Sequence, residues 1–326
     1  FNNPPAKAQE IISAGDVPLG TQGNLFGITG GEGTGKSNYV AAIVAGCICP
    51  AGAEVDTLGV QITANGRHKA VLLYDTEQSE VQLFKNVSNL LIRAKQPDKP
   101  DELKAFCLTG MSRKERLHAI VQSMDKFYYQ YGGIQLVVID GIADLVKSAN
   151  DEAESVAVID ELYRLAGIYN TCILCVLHFV PNGLKLRGHL GSELQRKAAT
   201  ILSIEKDEEP AQSVVKALKV RDGSPLDVPL MLFAWDKEAG MHVYKGEKTR
   251  EEKEKRKERE LVNVARDIFG RQTRITYIDL CEQLQQVLDI KERTAKSYIR
   301  FMRERDIITK DTANQSFFVI GSYNLQ

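Results

Sequence analysis

Between residues 30 and 37 the chain reads Gly-Gly-Glu-Gly-Thr-Gly-Lys-Ser, with the apolar run Asn24-Leu-Phe-Gly-Ile-Thr29 before it and helical spacing from Ser37 to Cys47 after it. So dense a run of glycine continues neither a strand nor a helix. The chain must leave a buried strand, turn through a tight loop and enter a helix. The spacing is G-x-x-x-x-G-K-S at every fixed position, in the strand and helix context that such a loop needs. Consecutive backbone N–H groups can then turn inward, and the helix N-terminus adds partial positive charge, which together suit a phosphate. Gly30, Gly31, Gly33, Thr34, Gly35, Lys36 and Ser37 are therefore the candidate phosphate-binding residues. Lys36 can reach the β- and γ-phosphates of a nucleoside triphosphate, and the Ser37 hydroxyl can ligate Mg2+.

The rest of the first two thirds alternates apolar runs with helical periods. Ala70–Asp75, Ala105–Leu108, Ile134–Asp140 and Thr171–His178 read as strands, and Glu80–Ala94, Arg113–Tyr131 and Asp151–Tyr169 as helices. This alternation predicts βαβ units and an α/β fold with a mainly parallel sheet. From residue 201 the pattern changes to alternating runs joined by turn signals (201–205, 213–221, 230–235, 241–244), which predict antiparallel strands on one side of that sheet. Nearly every residue from Lys248 to Glu260 is charged, which reads as a solvated helical linker. The expected organisation is a domain over 1–245, a linker over 246–260 and a small domain over 261–326.

A length of 326 residues suits two domains, and 43% hydrophobic with 26% charged residues excludes a disordered or fibrous chain. The formal net charge of −1 gives no sign of a nucleic-acid partner. That average conceals a small asymmetry, since residues 246–326 hold 17 basic against 14 acidic side chains. No apolar run reaches the roughly 18 residues of a membrane span. The start, Phe1-Asn-Asn-Pro-Pro5, lacks a basic-then-apolar leader pattern and reads as trimmed. Six cysteines lie mostly in apolar stretches, and Cys172-Ile-Leu-Cys175 on a strand would point its sulfurs to opposite faces. Buried, reduced thiols of a cytoplasmic protein are the expectation.

A phosphate loop needs an acid at a neighbouring strand end to hold the metal, and Leu136-Val-Val-Ile-Asp140 supplies one. Gly141 follows it, so the carboxylate that activates water must come from elsewhere. Glu77, just beyond the strand ending at Asp75, is the first candidate and Asp75 the competing one, because all these strand ends share one edge of a parallel sheet. His178 ends another strand on that edge, where it can contact the γ-phosphate. The segment after it, with Lys185 and Arg187, is glycine-rich and basic, and reads as a loop ending at a helix cap on Ser192 that could meet nucleic acid. Strand alternation would put Lys219 and Arg221 on one face, from which an edge-to-edge neighbour's γ-phosphate could be reached.

These residues resemble those of the RecA-like hexameric helicase ATPases, in particular the plasmid RepA-type replicative helicases and related mobile-element ATPases. The resemblance rests on Gly30–Ser37, Asp75-Thr-Glu77, the Asp140–Leu145 stretch, His178 and the 187–193 loop, and covers about the first 245 residues. It implies a homo-oligomer with a hexameric ring, Mg-ATP held by the loop and Asp140, Glu77 as general base and His178 as γ-phosphate sensor. It also implies a Lys219 and Arg221 pair that completes the neighbour's site. Gly141 stands where the AAA+ branch normally carries Glu, which argues against that branch.

The C-terminal part reads as three helices (261–269, 277–288, 292–305) and a hairpin within 306–320, and resembles a winged helix-turn-helix domain. Lys291–Arg305 would be its recognition helix, with six basic and two acidic residues. Arg293, Lys296 and Arg300 are candidate DNA contacts, with Thr294, Ser297 and Tyr298 interleaved; docking to a protein is the other reading of such a domain. The expectation is an ATPase acting on DNA, without a membrane, in replication or mobilisation of a mobile element. The alternatives are an ATP-gated DNA-binding regulator without unwinding activity and a monomeric small-molecule kinase.

Overall fold

Four of the apolar runs are buried almost end to end, and strands covered on both faces need helices above and below them. The computed structural model describes residues 7–178, 188–207, 211–248, 250–270 and 272–325. They divide into two units, one of residues up to 220 with 230–247, the other of 221–229 with residues from 248 onward.

The first unit begins with strands β1 (Glu10–Ala14), β2 (Val17–Thr21) and β3 (Leu25–Gly30), then helix α1 (Lys36–Ile48) and strand β4 (Gln61–Ile62). It continues with β5 (Ala70–Asp75), α2 (Glu80–Arg93), β6 (Leu103–Cys107), α3 (Arg113–Tyr131), β7 (Ile134–Asp140) and a 3-10 turn at Ile142–Leu145. Then follow α4 (Glu152–Ile168), β8 (Cys172–His178), α5 (Gly188–Lys197) and the strands β9 (Thr200–Lys206), β10 (Gln212–Val220), β11 (Met231–Asp236) and β12 (Met241–Glu247). The main sheet has the order β12-β11-β10-β9-β3-β8-β7-β5-β6. Strands β9, β3, β8, β7, β5 and β6 are parallel, and β10 to β12 extend one side in antiparallel fashion. The mainly parallel α/β sheet is thus as expected.

Helix starts follow their caps. Ser79 accepts from the Gln82 amide at the head of α2, Ser112 and Glu115 form a capping box on α3, and Asp151 accepts from the Glu154 amide on α4. The core between sheet and helices includes Leu25, Leu72, Val137, Ile139, Ile159, Leu162 and Ile173. Cys172 and Cys175 are buried in β8 without a disulfide, and burial pushes the Cys175 thiol up to about 12 and Cys172 higher still. Among the described residues no helix is long and apolar enough to cross a membrane.

Three strands form a second small sheet, β2-β1-β4, that the sequence pattern did not announce. Pro18 and Gly20 interrupt the period of β2, and Pro18 is tolerated because β2 is an edge strand.

The second unit contains α6 (Arg250–Phe269), β13 (Ile275–Thr276), α7 (Tyr277–Leu288), α8 (Glu292–Glu304), β14 (Ile308–Lys310) and β15 (Phe317–Ile320). Its sheet, β13-β15-β14, is antiparallel. Leu261, Ala265, Leu280, Leu284, Ile299, Met302 and Phe318 pack as its core. Two boundaries differ from expectation. The charged run is no separate linker, since residues 250–260 are the first half of α6, whose second half carries the apolar face. Residues 221–229 also join this unit: Leu226 packs on its core and the Ser224 hydroxyl bonds that of Tyr298.

Arg93, at the end of α2, is buried and donates to the backbone carbonyls of Asp56, at 2.8 Å, and of His242 in β12. Removing a charged donor from two such carbonyls should cost about 1.5–3 kcal/mol. Arg93→Met should therefore unfold at lower urea with an unchanged slope, as read by far-UV circular dichroism.

Candidate nucleotide site

The loop from Gly31 to Gly35 joins β3 to α1, as the glycine spacing requires. At Gly30 a Cβ would lie 2.3 Å from the Ile204 carbonyl oxygen and 2.9 Å from Thr34 Oγ1, so a side chain there would force the loop off the neighbouring strand. Lys36 is buried, and its ammonium donates to the carbonyls of Gly30 at 3.0 Å and Gly31 at 2.6 Å. Burial lowers its pKa, against the pull of Asp140, Glu77 and Glu32. Thr34 Oγ1 donates to the Gly31 carbonyl at 2.9 Å, and Ser37 is exposed one residue into the helix.

The strand ends line up by register. Gly30 pairs with His178, and Asp75 with Asp140. Asp75 is buried, and its Oδ1 accepts from the backbone amides of Glu77 at 3.0 Å and Gln78 at 2.8 Å. Its carboxylate thus holds its own turn. Glu77 is one-third exposed, and its Oε2 lies 3.3 Å from His178 Nε2. The two residues come from strand ends separated by β7, and the turn carries Glu77 across that gap.

Thr76 locks this turn in place. Its hydroxyl donates to the Asp140 carbonyl at 3.0 Å and to the Gly141 carbonyl at 2.8 Å, and its amide donates to the Asp140 carbonyl at 3.1 Å. Thr76 was not singled out from sequence, although its place between two candidate acids was the available signal. Gly141 completes the lock. Its φ is +97°, and a Cβ would meet Thr76 Oγ1 at 2.4 Å and Glu77 Cγ at 2.6 Å. Only glycine lets Glu77 lie against the end of β7.

Burial first, then repulsion from Asp75 and Glu77, raises the pKa of Asp140 to about 7, with His178 and Lys36 opposing. Burial likewise raises Asp75. Such crowding of carboxylates beside an exposed hydroxyl suits a divalent cation. Among the described residues no three His, Cys, Asp or Glu side chains could hold a metal on their own. Mg2+ takes one or two protein oxygens and fills its other positions with phosphate and water, and Ser37 and Asp140 are the residues that would hold it. A cavity of about 30 Å³ lined by Ser37, Asp75 and Asp140 leaves room for about one water.

The remaining candidates are more scattered. Lys219 is 9% exposed, and its ammonium donates to the carbonyls of Gln195 at 2.8 Å and Arg196 at 3.3 Å, at the end of α5. Arg221 is exposed in the turn after β10, so strand alternation does not extend to it and it does not share a strand face with Lys219. Lys185 and Arg187 lie outside the described residues. Helix α5 already begins at Gly188, and Ser192 bonds back to the Gly188 carbonyl at 3.3 Å instead of capping the helix. In the second unit, Arg293, Lys296 and Arg300 are exposed along α8, with Lys296 paired to Glu292 at 2.7 Å and Arg300 to Glu304 at 2.8 Å. Tyr298 is buried, so it is not part of that exposed face. A groove of about 920 Å³ between the start of α3 and the turn after Asp140 was not foreseen; Arg113, Lys114 and Lys147 line it, together with Asp144 and Glu154.

The family model described as an AAA domain matches residues 1–182, across every element that carries Lys36, Glu77, Asp140 and His178. No curated protein matches the chain. The family match stands although Gly141 occupies the position at which AAA+ ATPases normally carry Glu, and Glu77 lies against that glycine. Matched over more than half of its length, the chain belongs to the AAA domain family of P-loop ATPases, which bind ATP and Mg2+.

Proposed function

We propose that this chain hydrolyses Mg-ATP and uses the reaction to act on DNA, as a RecA-like helicase or motor of the RepA type in replication or mobilisation of a mobile element. It would work in the cytoplasm as a homo-oligomer, in a ring of six by resemblance. The observation that carries the ATPase part is Glu77, pinned by Thr76 against Gly141 and facing His178 beside Lys36 and Asp140.

In this reading Lys36 exchanges the Gly30 and Gly31 carbonyls for β- and γ-phosphate oxygens, and the loop amides hold the remaining phosphate charge. Ser37 and Asp140 hold Mg2+, which when bound offsets the negative charge on the transferred group. Glu77 takes the proton from the attacking water, since its carboxylate is one-third exposed whereas Asp75 is buried with its Oδ1 holding its own turn. His178 feels the γ-phosphate on one side and Glu77 on the other. Arg221, exposed in the turn after β10, supports a role in a neighbour's site better than Lys219, which is buried on helix carbonyls.

The DNA-binding part rests on the second unit, read as a winged helix. Three helices and an antiparallel sheet place Arg293, Lys296 and Arg300 at intervals of three and four residues on the exposed side of α8. The basic groove beside the turn after Asp140 offers phosphate contacts within the ATPase unit as well.

Lys36→Ala should abolish turnover. Glu77→Gln should bind ATP as the parent does while hydrolysis falls by about a hundredfold or more; undiminished phosphate release would remove Glu77 from the role. Gly141→Ala should keep ATP binding and lose about a hundredfold in rate, because the new methyl group displaces the Glu77 side chain. Arg300→Ala should weaken duplex binding alike on unrelated sequences and reduce the salt slope by about one. Binding that is unaltered in both respects would contradict the α8 assignment. Strand displacement on a forked duplex tests the motor itself, and DNA-stimulated hydrolysis without displacement would point to an ATP-gated regulator.

A further inference from the structure

The loop and the strand-end acids recognise phosphates, and none of them reads the base. The chain around Gly35, which caps the N-terminus of α1, is where a group able to read the base is sought. There a Cβ on Gly35 would sit 2.8 Å from Phe233 Cε2, so β11 touches the phosphate loop directly. Phe233 also packs on Tyr39 of α1, with ring centroids 5.8 Å apart. Phe233 and Trp235 are two residues apart on one strand and so share the face that meets α1. β11 runs toward the edge that carries Gly30, which puts Trp235 one step past the loop.

Trp235 is 53% exposed, a costly placement for the largest side chain. Its rear is built. His242, its cross-strand neighbour on β12, meets it edge-on with centroids 5.5 Å apart and meets Phe233 edge-on at 5.6 Å. Arg93 holds the backbone of β12 at His242. Among the described residues the buried His242 Nδ1 has no hydrogen-bond partner, and its ring packs against the indole. A row of rings, Tyr39, Phe233, His242 and Trp235, therefore leads from α1 to an open indole beside the phosphate loop.

We propose that Trp235 is the stacking platform for the purine of the bound nucleotide, held at its angle by His242 and Phe233. This rests on the phosphate loop being an ATP site and names the part of the same site that binds the base. A flat aromatic surface favours the larger purines over pyrimidines through stacking area, so the platform selects ATP and GTP over CTP and UTP.

Trp235 is the only tryptophan in the chain, so its emission reports on this one position. The full chain is titrated with Mg-ATP, Mg-CTP and Mg-tripolyphosphate while tryptophan fluorescence is followed, and each affinity is measured separately by calorimetry. ATP should quench the emission strongly and tripolyphosphate should bind with little change. Trp235→Ala should bind ATP about five- to a hundredfold more weakly, keep its affinity for tripolyphosphate, and lose preference for ATP over CTP. Trp235→Phe should recover most of the affinity. The proposal is overturned if ATP binds with unchanged emission, if tripolyphosphate quenches as fully as ATP, or if Trp235→Ala binds ATP as tightly as the parent. Failure of the parent chain to bind either ATP or tripolyphosphate would overturn the phosphate site itself, and the platform with it.

Discussion

Two carboxylates, Asp140 and Glu77, meet one buried lysine, with a third, Asp75, beside Asp140, at the edge of a sheet whose interior is almost wholly apolar. Burial above all, with repulsion from Asp75 and Glu77 added to it, raises the Asp140 carboxyl to about 7. The fold holds them together by covalent and hydrogen-bonded geometry, not by mutual attraction. The parallel strands bring every carboxyl end to one side, Thr76 ties the Glu77 turn to β7, and Gly141 leaves the space that Glu77 needs. Such crowding of carboxylates is expected of a binding site rather than of a core.

Seen this way, Gly141 is more than a missing acid. In an AAA+ ATPase the residue after the strand-end Asp brings its own carboxylate. Here Glu77, on the turn after the neighbouring strand, lies against that glycine, which leaves the space its side chain needs. The left-handed φ of +97° adds a second reason for glycine at this position.

Much of this was legible in the residues. The bounds of β5, α3, β7 and α7 follow from apolar runs that stop at an acid and from helical periods that stop at Gly132 or a turn. The phosphate loop and the edge shared by Lys36, Asp140, Glu77 and His178 follow from spacing and from the parallel sheet. Other features were hidden because they depend on partners distant in the chain. Pro18 and Gly20 mask the β2 strand, which is held by pairing to β1 rather than by its own period. The charged run of α6 looks like a linker because the apolar residues that anchor this helix to the core, Leu261, Ala265 and Ile268, all lie in its second half. Lys219 and Tyr298 read as accessible on local spacing, yet one is buried on the Gln195 and Arg196 carbonyls and the other bonds Ser224, 74 residues away.

The central claim is that Glu77, and not Asp75, serves as the base of this site. Single-turnover hydrolysis of Mg-ATP by Asp75→Asn and Glu77→Gln, compared at saturating nucleotide, tests it most directly. An asparagine at 75 can still accept the two amides of its turn, so the account predicts a rate within about tenfold of the parent, whereas Glu77→Gln falls by about a hundredfold or more. Loss of hydrolysis in Asp75→Asn with the rate kept in Glu77→Gln would contradict it.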